Sequence, residues 1–173
     1  MKHLFFILSL VLICNTEHSY AQNKGDKLEW YTDILKANEV SKATNKPLFA
    51  LFTGSDWCVW CHKLEHEVFD KPAFAQWAKK NVVLVELDFP RQKQLPPELA
   101  AQNNGLQQAF QVQGFPTVWM FFLSKDTATN KMNITPLGST GYPSGATPGK
   151  EEVKFIETAN EILAKRTDIK SNH

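Results

Sequence analysis

The sequence predicts an α/β fold in which a central mixed β-sheet is flanked by helices. Helix-like and strand-like segments alternate along the 173 residues, and strands joined through helices are expected to be parallel. Two short motifs, Cys58-Val59-Trp60-Cys61 and Gly114-Phe115-Pro116-Thr117, each lie beside an apolar run of strand length. The alternation of helices and strands predicts the fold, and the two motifs predict the function.

The first residues have the organisation of an export signal. A basic start, Met1-Lys2-His3, precedes a nearly unbroken apolar run over residues 4–13, and the following polar stretch ends at Ser19-Tyr20-Ala21 with small residues at the cleavage positions. An apolar run of about ten residues is too short to span a bilayer, which needs about 20. We therefore expect a signal peptide over residues 1–21, a single domain over 22–173, and a periplasmic or secreted protein.

Charge and cysteine content narrow the functional classes. A net charge of +1 does not indicate the basic surface expected of a nucleic-acid-binding protein. The absence of a second long apolar segment predicts no membrane insertion after cleavage. Lipid attachment at Cys14 is a weaker alternative because Ile13, not a small residue, precedes it. With Cys14 removed, Cys58 and Cys61 are the remaining cysteines. A disulfide that closes a loop this small stabilises a fold very little. The cysteine pair is therefore predicted to be reactive and not structural.

The first half of the domain alternates helices with buried strands. Helix formers with periodic apolar residues predict a helix over 28–44, and the continuous apolar run over 47–52 predicts a buried strand. A helix is expected to begin at or next to Cys58. A further helical segment over 72–80 and a second apolar strand over 82–88 complete this half.

The second half predicts one more helix, a strand pair and a closing helix. Pro96-Pro97 marks a helix start. After the turn at residues 114–117, a strand over 118–123 is expected to pair with 132–137 as a hairpin. Residues 151–166 form an amphipathic pattern that predicts the last helix.

The cysteine pair lies where a helix would activate it. Unpaired backbone N–H groups and the positive end of the helix dipole favour thiolate over thiol at a helix N-terminus. We predict that Cys58 is exposed and nucleophilic. Cys61, one turn further along, is predicted to point inward and to resolve the mixed disulfide that Cys58 forms.

On Trp57-Cys58-Val59-Trp60-Cys61 and Gly114-Phe115-Pro116-Thr117, the chain resembles the thioredoxin superfamily over residues 47–163. The resemblance implies a thioredoxin-like fold and thiol–disulfide exchange on protein substrates with no metal or organic cofactor. It also implies that Pro116, preceded by Phe115, is cis, lies against the cysteines and presents backbone to a bound peptide. Asp56-Trp57-Cys58-Val59, followed by Glu65, Phe69 and Pro72, is similar to the C-terminal domain of transmembrane thiol:disulfide interchange reductases, which points to the cell envelope.

Two positions depart from the thioredoxin pattern. Thioredoxins usually carry a buried Asp six residues before the first cysteine, where this chain has Phe52, and often a Lys on the neighbouring strand, where it has Glu86. Glu86 either lies beneath the cysteines, with a raised pKa and the proton-transfer role, or faces water at a strand end. Val59-Trp60 replaces the Pro-His pair of strong oxidases, which favours reductase or isomerase activity.

Aromatic residues beside the motifs predict the substrate contact. Trp57, Trp60 and Phe115, with Pro116, are expected to form an apolar patch suited to weak, sequence-tolerant contact with unfolded chains. In the alternative arrangement Trp57 packs partly into the core and Trp60 alone is exposed. The partners expected are protein thiols or disulfides and an envelope redox protein that the sequence does not identify.

Three other functions fit parts of the motif. The domain could be a non-catalytic peptide-binding module that uses the cysteines as a redox switch. Cys58-x-x-Cys61-His62 also has the spacing of a covalent haem attachment site. A zinc site would combine Cys58, Cys61, His62 and His66, although the two histidines also fit a solvated helix face.

Overall fold

Short apolar strands in the middle of the chain assemble the sheet at the centre of the computed structural model. The structure describes the backbone of residues 27–126, 129 and 131–171, and the side chains of these up to residue 166. The predicted signal peptide, residues 1–21, lies outside the described residues. The described part of the chain has no helix that is both long and apolar enough to cross a membrane.

Helices and strands alternate as the sequence predicts. The strands are β1 (Trp30–Tyr31), β2 (Leu48–Thr53), β3 (Val83–Asp88), β4 (Thr117–Lys125) and β5 (Met132–Gly141). The helices are α1 (Ile34–Thr44), α2 (Val59–Leu64), α3 (Pro72–Asn81), α4 (Pro97–Ala109) and α5 (Glu151–Ser171). A π-helical turn over Glu65–Phe69 continues α2.

The strands form one five-stranded mixed sheet in the order β1-β3-β2-β4-β5. Strand β3 is parallel to both β1 and β2, whereas β4 is antiparallel to β2 and to β5. Every residue of β2 is buried, as expected of a central strand covered on both faces. The predicted α/β fold, with parallel first strands and a C-terminal hairpin, is confirmed.

Side chains of β2 alternate between two apolar cores. Phe49 and Leu51 pack into one, and Ala50 and Phe52 pack into the other. Phe49 is fully buried at the centre of an aromatic cluster and contacts five rings, those of Trp30, Phe69, Phe74, Trp77 and Phe155. Through these contacts, three elements pack against one face of the sheet: the π-helical turn after α2, helix α3 and helix α5.

The predicted helix over residues 28–44 begins later than expected. Trp30 and Tyr31 instead form an edge strand that pairs with Leu84 and Val85, because the Trp30 ring packs on the aromatic core from the sheet edge. Asp33 caps α1 by accepting the backbone N–H groups of Leu35 and Lys36. The prediction for residues 28–33 was therefore wrong, and that for 34–44 is confirmed.

Candidate active site

Cys58 and Cys61 form a disulfide at the N-terminus of α2, with an S–S distance of 2.06 Å. Cys58 is the N-cap residue, and its Sγ accepts the backbone N–H of Cys61 at 3.2 Å. Its carbonyl accepts the N–H groups of Cys61 and His62. The prediction that a helix begins next to Cys58 is confirmed. An N–H donor aimed at Sγ favours the thiolate once the disulfide opens.

The two cysteines are equally buried in this disulfide form, each with 5% of its surface exposed. The predicted exposure of Cys58 is therefore wrong for this state, whereas Cys61 is buried, in agreement with the prediction that it points inward. The bond draws both sulfurs to the same side of the first helical turn, so the intervening residues face outward instead. Val59 is 76% exposed and Trp60 is 54% exposed.

The second motif lies beside the first, as the resemblance to thioredoxins implies. The Phe115–Pro116 peptide bond is cis, and the Phe115 ring packs against Trp57, with centroids 5.9 Å apart. Thr117 then opens β4, which pairs with both β2 and β5. Trp57, which precedes Cys58, and Phe115, which precedes Pro116, are thus in direct contact.

Trp57 is held by hydrogen bonding and stacking. Its Nε1 donates to the carbonyl of Phe89 at 2.8 Å, and the Arg91 guanidinium lies over its ring, with Cζ 3.6 Å from the centroid. Phe89 in turn stacks on Phe115 at 5.0 Å. Trp57 is half-buried, in agreement with the alternative in which it packs partly into the core while Trp60 is exposed.

Two aspartates tie the loop before Cys58 to the loop after β3. Asp56 accepts the backbone N–H groups of Arg91 at 3.0 Å and Gln92 at 2.7 Å. The Arg91 N–H is the main cause that lowers the pKa of Asp56. Asp88 accepts the N–H and hydroxyl of Ser55 at 2.8 and 2.6 Å. The Asp88 carboxylate also forms an ion pair with Lys93 at 3.1 Å.

Sequence reasoning missed Asp88, Arg91 and the structural role of Asp56. Asp88 ends a buried strand, which is a position where polar side chains often serve a site. Arg91, in contrast, lies in a polar loop 34 residues from Trp57 in the chain. No local pattern indicates that contact.

Trp60 packs against Tyr142, which follows β5, and against Lys63 of α2. Its ring meets Tyr142 edge-on at 5.0 Å, and Lys63 Nζ lies 5.1 and 5.0 Å from the Trp60 and Tyr142 centroids. The Tyr142 hydroxyl donates to the carboxylate of Glu67. Burial raises the pKa of Tyr142, and the bond to Glu67 raises it further. Sequence reasoning did not place Tyr142 at the site.

A cleft of about 940 Å³ opens behind the cysteines, and both Cys61 and Glu86 line it. Glu86 is half-buried inside β3, opposite Leu51 in the sheet register. It therefore does not lie at a strand end. Burial raises the pKa of Glu86, and the nearby charges of Asp88 and Glu65 raise it further.

Phe52, which stands where thioredoxins usually carry a buried Asp, does not face Glu86, because the register pairs Glu86 with Leu51. The Phe52 side chain points to the opposite face of the sheet, where it packs against Phe89 and Phe110. Leu51 lines the cleft instead. Because strand side chains alternate between faces, counting six residues back from Cys58 selects the wrong face here.

His62 and the two cysteines are not arranged as the metal and haem alternatives require. His62 Nε2 lies 2.8 Å from the carbonyl oxygen of Ser55, and the two sulfurs that thioether anchors would use bond each other. Among residues 27–126, 129 and 131–166, no three His, Cys, Asp or Glu side chains gather in a way that could hold a metal ion. The proposed set of Cys58, Cys61, His62 and His66 thus does not form such a group.

The chain is similar in sequence to a known domain family and to known proteins. Residues 35–128 match the model of a thioredoxin-like domain. The disulfide bond reductase DsbH of Chlamydia pneumoniae is 33% identical over 117 residues, which are 68% of this chain and 69% of that protein. Thioredoxin-related protein DsbJ, from the same organism, is 28% identical over 80% of this chain but only 38% of its own length.

Solved structures show the same architecture. A structure described as DsbH oxidoreductase superposes with a TM-score of 0.64 and 28% identity, covering 81% of this chain and 87% of the other. A thioredoxin from Thermus thermophilus superposes with a TM-score of 0.52, over 81% and 90% of the two chains. At 14% identity, the second likeness concerns the fold alone.

Proposed function

The chain belongs to the thioredoxin-like family of disulfide oxidoreductases, and from this premise we propose that it reduces or isomerises protein disulfides in the cell envelope. The observation that carries the proposal is the Cys58–Cys61 disulfide at the N-terminus of α2, with Cys58 Sγ accepting the Cys61 N–H. The similarity to the disulfide bond reductase DsbH supports the reductive direction.

The proposed reaction transfers two electrons from the dithiol to a substrate disulfide. The Cys58 thiolate attacks one substrate sulfur, forms a mixed disulfide and releases the other sulfur as a thiolate, which takes a proton from water. The Cys61 thiolate then attacks Cys58 Sγ. This step releases the second substrate thiolate, which is protonated in turn, and leaves the Cys58–Cys61 disulfide. A partner dithiol must afterwards reduce the enzyme.

The helix N-terminus supports Cys58 as the attacking group. In the reduced enzyme, the Cys61 N–H and the helix dipole stabilise negative charge on Cys58 Sγ. When Cys61 resolves the mixed disulfide by attacking Cys58 Sγ, the leaving group is the substrate thiolate, and Cys58 stays bonded to Cys61. Cys61, further into the helix, lines the cleft behind the site.

Glu86 is the proposed proton acceptor for Cys61. Both residues line the same cleft, and burial raises the pKa of Glu86 towards the range in which a carboxyl group exchanges protons readily. When Cys61 becomes a thiolate, Glu86 takes the proton and passes it to water in the cleft. This assignment gives Glu86 the role that a buried aspartate has in the thioredoxin pattern.

The proposed substrate surface surrounds the disulfide. Trp60 and Val59 supply exposed apolar area, and Trp57 and Phe115 pack together at the opposite side. Pro116 is proposed to present its backbone to an extended substrate segment between them. Apolar contact of this kind suits unfolded or partly folded chains, whose sequences vary around their cysteines.

Reduction of a protein disulfide tests the proposal directly. The mature chain, kept reduced by dithiothreitol, should accelerate insulin reduction over dithiothreitol alone, and Cys58→Ser should abolish that acceleration. Refolding of scrambled ribonuclease, measured in parallel, separates isomerase from simple reductase activity. A wild-type protein that binds unfolded chains but gives no acceleration in either assay would support the non-catalytic binding module instead.

A further inference from the structure

Arg91 places a positive charge beside the loop that leads to Cys58. Its guanidinium lies 3.6 Å from the centroid of Trp57, the residue directly before Cys58. A guanidinium in contact with a ring face directs its N–H donors away from the ring, along its own edges. Those edges are suited to bidentate pairing with a carboxylate.

The backbone that carries Arg91 is fixed in place. Asp56 accepts the N–H groups of Arg91 and Gln92, and the Phe89 carbonyl accepts from Trp57 Nε1. The Phe89 N–H donates to the carbonyl of Thr53 at 2.8 Å. The cation is therefore positioned before any substrate arrives, which reduces the entropy lost on binding.

The acidic side chains nearby are engaged elsewhere. The oxygens of Asp56 face backbone N–H groups, and Asp88 binds Ser55 and Lys93. Within the described ranges, the ion pairs that the structure shows involve Lys63 and Lys93 and leave Arg91 without a carboxylate partner. Arg91 is thus an exposed cation with its donors available to a ligand.

We propose that Arg91, stacked on Trp57, is a specificity-determining residue that pairs with a carboxylate close to the substrate disulfide. The inference rests on the proposed function and names the class of substrate as acidic around its cysteines. Pairing with Arg91 also offsets the repulsion between an acidic substrate and the Cys58 thiolate. The exchange step itself is unchanged, because Arg91 forms and breaks no covalent bond.

Two synthetic peptides test the preference. Both are disulfide-linked homodimers of the same short sequence, with the cysteine flanked by aspartates in one and by asparagines in the other. The rate constant for reduction by the pre-reduced enzyme is divided by the rate constant with dithiothreitol, which removes the intrinsic difference in disulfide reactivity. We expect the wild-type enzyme to prefer the acidic peptide by about fivefold, as for one exposed but well-oriented charge pair.

Substitution assigns the preference to Arg91. Arg91→Gln should bring the ratio of the two normalised rates close to one, and Arg91→Lys should retain only part of it because Lys lacks the planar fork. Because each ratio is measured on one preparation, a general loss of activity cancels. Lys93→Gln is the matched control, since Lys93 is a neighbouring cation already paired with Asp88, and it should keep the wild-type ratio.

The outcomes separate the two proposals. If neither peptide is reduced faster than by dithiothreitol, the proposed function fails. If both are reduced at equal normalised rates by the wild-type enzyme, or if Arg91→Gln keeps the full preference, the role of Arg91 is wrong while the reductase activity stands. An equal loss of preference in Lys93→Gln would likewise overturn it, because general electrostatics would then replace a specific pair.

Discussion

Gly54 lies directly against the indole of Trp57, so closely that a β-carbon at position 54 would stand 2.5 Å from Trp57 Cε2. This contact allows the indole to lie flat over the turn before Cys58 while Nε1 reaches the Phe89 carbonyl. A glycine is therefore required here by close approach.

Gly54→Ala should displace the Trp57 ring and break its hydrogen bond to Phe89. Overpacking and a lost hydrogen bond together predict a decrease in the free energy of unfolding of about 1–3 kcal/mol. Denaturant unfolding measures the decrease, and tryptophan fluorescence in the native state reports the displaced ring. Because Trp57 borders Cys58, we also expect a lower rate of insulin reduction.

Gly105→Ala provides the matched control. Gly105 lies inside α4, and a β-carbon there would have no neighbour within 4 Å. Alanine is the better helix former, so this change should raise the free energy of unfolding by about 0.5–1 kcal/mol. Equal destabilisation by both substitutions would contradict the role assigned to Gly54.

The aromatic core around Phe49 should dominate stability on its face of the sheet. Phe49 is fully buried against five rings, so Phe49→Ala should lower the free energy of unfolding by about 3–5 kcal/mol. Leu35→Ala, on the exposed side of α1 with 57% of its surface accessible, should change it by less than about 0.5 kcal/mol. Urea unfolding of the two variants beside the wild type compares them, and a smaller loss for Phe49→Ala than for Leu35→Ala would refute this account of the core.

Glu86 should make stability depend on pH. Its pKa is raised in the folded state above the ordinary value of 4.5, so ionisation opposes folding. That destabilisation is absent below the unfolded pKa, grows as pH rises through the folded pKa and is complete above it. Glu86→Gln removes it, and the variant should be more stable than the wild type at pH 8 but not at pH 4.

The measurement is urea unfolding of both proteins at a series of pH values, together with insulin reduction over the same series. If Glu86 accepts the Cys61 proton, Glu86→Gln should lose activity while gaining stability at pH 8. Glu98→Gln is a control, because Glu98 lies in the first turn of α4 and does not line the cleft. A variant at position 86 with full activity at every pH would remove Glu86 from the proton route.

Much of the fold follows from local patterns, because its strands are short, apolar and separated by clear turns. The helix start at Cys58 and the hairpin after Pro116 are both predictable in this way. Trp30 was misassigned because an amphipathic pattern does not reveal whether an aromatic ring packs from a helix or from an edge strand. The β1 pairing with β3 depends on tertiary contact with Phe49 and Phe69.

At the candidate site, the two motifs could be recognised in the sequence, whereas the residues that surround them could not. Cys58, Cys61 and Pro116 belong to motifs that can be recognised in sequence. Leu51 lines the cleft and Phe52 does not. This difference depends on which face of β2 points to α2, which the sequence of the strand does not show. The contact between Arg91 and Trp57 depends on the path of a loop, which hydrophobic periodicity does not encode.

Trapping the mixed disulfide with Cys61→Ser tests whether Cys58 is the attacking cysteine. Without the resolving thiol, Cys58 should hold the substrate as a stable mixed disulfide, which non-reducing mass spectrometry of the variant mixed with oxidised insulin detects as an added insulin chain on Cys58. We expect this adduct for Cys61→Ser, its absence for Cys58→Ser, and its release by dithiothreitol. An adduct on Cys61 of the Cys58→Ser variant, with none on Cys58 of the Cys61→Ser variant, would contradict the assignment of Cys58 as the attacking cysteine.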